Sequence, residues 1–140
     1  FPDSAMEGLN FSFSGIKTSF LFFLRDNLKK DPKFVKENLY DICASLQHSL
    51  IRMLLQKVKK AAAKYKINQI AIAGGVSANS GLRKELTLLA EKKNWNVFIP
   101  DFQYCTDNAG MIAITAHYKY LKGQFESLNA VPDPRMKFES

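Results

Sequence analysis

The run "QIAIA", residues 69–73, has no charge, and after its first residue no polar side chain. It ends abruptly at Gly74-Gly75. A compact apolar run of this kind predicts a strand with cover on both faces, central in a sheet. The small residues of "GGVSANSG" follow, and then Leu82, Leu86 and Leu89 recur at helical spacing as far as Lys93. "WNVFIP", residues 95–100, reads as a second strand stopped by Pro100. "DFQYCTD" reads as a loop, and "NAGMIAITAHYKYLKG" as a largely apolar helix closed by Gly123. The order strand, helix, strand, helix predicts two parallel neighbouring strands joined by a right-handed crossover. Both loops then follow strand C-termini, the edge at which open α/β sheets bind ligands.

Upstream, "NFSFS", residues 10–14, alternates polar and aromatic residues and predicts a short strand. After Gly15, residues Ile16, Phe20, Phe23, Leu24 and Leu28 mark a helix with Lys29 and Lys30 at its end. Asp31-Pro32 predicts a new helix, with Asp31 as N-cap and Pro32 in first position. A long apolar face follows through Leu39, Ile42, Leu46, Leu50, Met53, Leu54, Val58, Ala61 and Tyr65, with a break near Asn38. The predicted class is α/β, a small mostly parallel sheet covered by several long helices. Residues 1–123 are expected to form one lobe, and residues 124–140 an extended or mobile tail.

Charge narrows the partners. Twenty Lys and Arg stand against 13 Asp and Glu, a net +7, which suits nucleic acid or a phosphate-bearing ligand. Cys43 and Cys105 have no metal-binding spacing, and no apolar run reaches membrane-spanning length. A reduced, cytoplasmic protein without a membrane partner is the default expectation. The opening "FPDSAMEGLNFSFSG" reads as interior text, so a piece of a longer protein is expected.

Three stretches could carry chemistry. In "AGGVSANSGLR", Gly74 and Gly75 let the backbone turn sharply or approach a ligand closely. Ser77, Asn79 and Ser80 supply small donors and acceptors at a helix start, where free N–H groups favour an anion. The stretch fits a phosphate or nucleotide cradle, and equally an ordinary loop with Ser or Asn capping the helix. In "CTDNAGMIA", Asp107 suits a metal ligand or a helix cap, and Thr106 and Asn108 fit either role. In "NFSFSGIKT", Lys17 could reach a phosphate, or Ser14 could cap the helix and leave Lys17 solvated. His48 and His117 lack partners at ligand spacing and read as structural or surface residues. Lys57, Lys60 and Lys64 share a helix face that is either solvated or RNA-facing, while Arg83 adds charge without a defined stripe.

Taken together, "NFSFSGIKT", "AGGVSANSGLR" and "YCTDNAGMIA" resemble the C-terminal part of the bacterial transferases that make threonylcarbamoyladenosine in tRNA. That family was long called O-sialoglycoprotein endopeptidase or glycoprotease. The resemblance runs from Phe1 to about Gly123. It implies a lobe of the actin-like, sugar kinase and Hsp70 (ribonuclease H-like) fold. It implies transfer of threonylcarbamoyl from threonylcarbamoyl-AMP to N6 of adenosine 37 in tRNAs reading codons that begin with A. It implies one divalent metal, iron or zinc, and as partners tRNA, a paralogous non-catalytic subunit and a small ATPase. Asn79 corresponds to the asparagine that touches the adenylate, with Gly74, Gly75 and Ser77 as loop backbone. Asp107 corresponds to a metal ligand.

The family's HxxxH metal motif is absent from this sequence. The chain is therefore expected to supply one metal ligand and one wall of the nucleotide site, to be inactive alone and to self-associate. Two other functions remain as alternatives: an RNA- or protein-docking module, and the metal-dependent peptidase of the older name, which no HExxH supports.

Overall fold

The computed structural model describes residues 7–132. Its elements run α1 (Phe13–Lys30), α2 (Phe34–Glu37), α3 (Leu39–Tyr65), β1 (Gln69–Ala71), α4 (Ser80–Lys93), β2 (Asn96–Phe98) and α5 (Ala109–Leu121). Short 3-10 turns occupy Gly75–Ala78 and Phe102–Tyr104. The chain divides after Cys105 into two compact units. The first holds the sheet and α1 to α4, and the second holds α5.

β1 and β2 are parallel, with Gln69 opposite Asn96, Ile70 opposite Val97 and Ala71 opposite Phe98. Alternation puts Ile70, Ile72, Val97 and Ile99 on one face, where they pack on Ile51 and Leu55 of α3 and Leu82 and Leu86 of α4. Leu86 has no exposed surface. The other face is open: Gln69, Ala71, Asn96 and Phe98 are exposed. The central position expected for "QIAIA" is thus not seen, because β1 has a neighbouring strand on one side only among the described residues.

α3 and α4 end in the same way. Lys66 closes α3 at φ 55° and Asn94 closes α4 at φ 54°. The next N–H then reaches back, Ile67 to the Ala62 carbonyl and Trp95 to the Ala90 carbonyl, each at 3.0 Å. The Asn96 N–H donates to the Asn68 carbonyl at 2.8 Å, which brings the two strands together as they leave their helices. Gly81 serves contact between helices. A Cβ there would lie 2.9 Å from both Gln47 Nε2 and Ile51 Cδ1 on α3.

Three local expectations are corrected. "NFSFS" is not a strand, because the helix begins at Phe13 and Ser12 is its cap. The Gly15 N–H donates to Ser12 Oγ at 3.2 Å, so Ser12 performs the capping expected of Ser14. Phe11 and Phe13 do meet, stacked at 5.8 Å between ring centroids. Asp31 closes α1 instead of opening a helix. Its N–H donates to the Asn27 carbonyl at 2.9 Å, and its Oδ1 accepts from the Lys33 N–H at 2.9 Å. That turn delays the next helix to Phe34. The break near Asn38 is present, and it separates α2 from α3. Of the tail from Gln124, residues 133–140 lie outside the described residues. Ser127–Ala130 forms a turn closed by the Ala130 N–H on the Ser127 carbonyl at 3.0 Å.

No helix among the described residues is long and apolar enough to cross a membrane.

Two stability effects are expected. Leu86→Ala removes a side chain sealed on all sides and should lower unfolding stability by roughly 2–5 kcal/mol in urea titrations. Lys66→Gly relieves a left-handed backbone that a side chain disfavours and should raise stability by about 1 kcal/mol in the same assay.

Candidate functional site

The Gly-Gly loop is a tight structure at the C-terminal end of β1. Gly74 has φ 78°, which favours glycine for conformational reasons. Its carbonyl accepts twice, from the Ser77 N–H at 2.9 Å and from Ser77 Oγ at 2.7 Å. Ser77 is 1% exposed, so its hydroxyl closes the loop and does not face outward. Gly75 differs from Gly74. Its φ lies outside the left-handed region, while a Cβ built on either glycine would meet nothing within 4 Å. Neither backbone strain nor packing among the described residues requires glycine at this position.

Asn79 is the N-cap of α4, its Oδ1 accepting from the Leu82 N–H at 2.9 Å. The capping alternative for this residue is therefore real. The cap engages the amide oxygen, and the amide NH2 is the group left to donate to a ligand. Beside Asn79 and Val76 opens a cavity of about 310 Å³. Leu46, Leu50, Leu54 and Leu82 give it apolar walls. Its volume lies at the small end of ligand pockets.

Arg83 lies one turn into α4 and is half-buried. Its Nε donates to the Ser77 carbonyl at 2.6 Å, and its Nη2 donates to the Pro100 carbonyl at 2.6 Å and to Cys105 Sγ at 3.1 Å. The guanidinium carbon lies 4.1 Å from the centre of the Phe102 ring. Charge counting had placed this residue among the dispersed surface cations. Its partners are six, 17 and 22 positions away, beyond any local pattern.

Asp107 belongs to the second unit. It is exposed, and it does not cap α5. That role falls to Asn108, whose Oδ1 accepts from the Met111 N–H at 3.2 Å while its Nδ2 donates to the Thr106 carbonyl at 2.9 Å. No three His, Cys, Asp or Glu side chains gather around a possible metal position among the described residues. One carboxylate does not fit iron or zinc, each of which needs several donors. Ser14 and Lys17 are exposed in the first turn of α1. Of the lysines on α3, Lys57 is a tether, its Nζ donating to the Gly8 carbonyl at 2.8 Å. Lys64 rests 5.3 Å over the ring of Tyr65.

The comparison with known proteins agrees with the motifs. Residues 1–114 match the family model of tRNA N6-adenosine threonylcarbamoyltransferase. The protein of that name from Cytophaga hutchinsonii is 51% identical over 137 residues, which is 98% of this chain and 40% of the relative. Its namesake from Porphyromonas gingivalis is 52% identical over 131 residues, 94% of this chain and 38% of the relative. The more distant one from Thermosipho africanus is 44% identical over 139 residues, 95% of this chain and 40% of the relative. The chain thus spans about 40% of the length of the curated relatives it matches. The parallel pair of strands under covering helices is part of the actin-like, ribonuclease H-like fold of that family. By its sequence over 114 of 140 residues, the chain belongs to the tRNA N6-adenosine threonylcarbamoyltransferase family.

Proposed function

We propose that this chain forms one wall of the adenylate site of a transferase acting on tRNA. The reaction moves threonylcarbamoyl from threonylcarbamoyl-AMP to N6 of adenosine 37 in tRNAs reading codons that begin with A. The N6 amine attacks the carbamoyl carbon, the bond from that carbon to the phosphate oxygen breaks, AMP leaves, and the proton lost by the amine passes to solvent. The observation that carries the reading is the open space over Gly75 at a strand end. The glycine is explained if ligand atoms lie against its backbone.

The chain's residues hold and orient. The Gly74–Ser77 turn keeps the loop low, and the Asn79 NH2 donates to the adenylate. The apolar cavity beside Asn79 suits the flat face of an adenine. On this reading the family's iron or zinc takes Asp107 as one ligand. The described residues do not complete a metal site, so no step is assigned to the metal. The net charge of +7 suits the tRNA substrate. The paralogous subunit and the small ATPase are proposed as partners of the full-length protein.

Two experiments on the full-length protein test these assignments. Gly75→Ala adds a Cβ that meets nothing within 4 Å among the described residues. It should change stability by less than about 1 kcal/mol and raise the adenylate KM by roughly tenfold or more. An unchanged KM would remove the ligand from the loop. Asp107→Ala should lower bound iron or zinc in elemental analysis, and metal content equal to wild type would end that assignment.

A further inference from the structure

Arg83 holds two backbone carbonyls and one thiol at once. Its Nε fixes the carbonyl of Ser77 in the Gly-Gly loop. Its Nη2 fixes the carbonyl of Pro100 just beyond β2 and touches Cys105 Sγ. Phe102, between those two, lies against the guanidinium. Cys105 is 1% exposed, and its thiol donates in turn to the Asp101 carbonyl at 3.5 Å. Two loops at the same edge of the sheet are thereby joined by one planar cation with donors in a fixed fork. A lysine in its place reaches one carbonyl and loses both the fork and the ring contact.

We infer that Arg83 is a positioning residue. It fixes the distance between the Gly-Gly loop and the turn after β2, and so presents the backbone of Gly75 and the side chain of Asn79 in one geometry. The function of that geometry rests on the adenylate reading above. The tie itself does not, since it is a property of the loops. Cys105 reports on it directly, because its buried sulfur accepts from Arg83 Nη2.

The test uses the full-length protein with Arg83→Met and Arg83→Lys, the second retaining the charge. Ile16→Val, which trims a buried side chain on α1 and touches neither loop's sequence, is the control. Alkylation of Cys105 by iodoacetamide is read on its peptide by mass spectrometry, and steady-state kinetics give the adenylate KM and kcat separately. Both Arg83 variants should alkylate Cys105 at least about tenfold faster than wild type. They should raise KM by a similar factor while kcat changes less, as expected for loss of charged hydrogen bonds outside the chemical step. The control should keep the wild-type values of both. Wild-type alkylation in the Arg83 variants would overturn the tie. Faster alkylation with an unchanged KM would overturn its role in positioning. A wild-type protein that does not turn over the adenylate would defeat the functional reading, and the alkylation rates would still judge the tie.

Discussion

Leu86 lies where four elements meet. It has no exposed surface, and it closes the seam in which α3 and α4 cover Ile70, Ile72, Val97 and Ile99 of the two strands. Burial of this apolar surface is the dominant favourable term available to a small sheet. Two strands of three residues each cannot hold themselves together in water. The seam therefore comes first physically. It aligns β1 with β2, and that alignment places both loops at one edge of the sheet.

The first loop uses nearly all its polar groups on itself. Ser77 closes it, Asn79 caps α4 and Arg83 ties it to the turn after β2. Outward there remain backbone at Gly75, the NH2 of Asn79 and the exposed Ser80. A rigid loop with few outward groups suits recognition by shape and a small number of directional contacts. The arrangement leaves the proposed contact at Asn79 compatible with its capping role. The cap takes the oxygen and fixes the rotamer, which orients the remaining donor.

Periodicity made the long helices and the parallel pair legible, because burial of one face imposes spacing on the sequence. Leu82, Leu86 and Leu89 are an example. The same logic misjudged "NFSFS", since alternation of Phe11 and Phe13 is compatible with a helix entry when Ser12 supplies the cap. It misjudged Asp31 because an aspartate before proline serves a turn as well as a helix start. Gly75 and Asn79 were legible as a loop of small residues, yet which glycine of the pair is conformational required φ. Arg83 was illegible. Its role depends on carbonyls brought near by the fold, and a carbonyl leaves no trace in the choice of side chain.

The matched left-handed ends at Lys66 and Asn94 carry a consequence for chain length. Each helix delivers its strand from a fixed turn, and the Asn96 N–H donates to the Asn68 carbonyl at once. One residue added within α4 would rotate everything beyond it by about 100°. It would also deliver β2 a position late, swapping the sides on which Val97 and Phe98 emerge. The helix thus acts as a gauge block for the sheet, so that the number of its residues matters to the register as well as their kind.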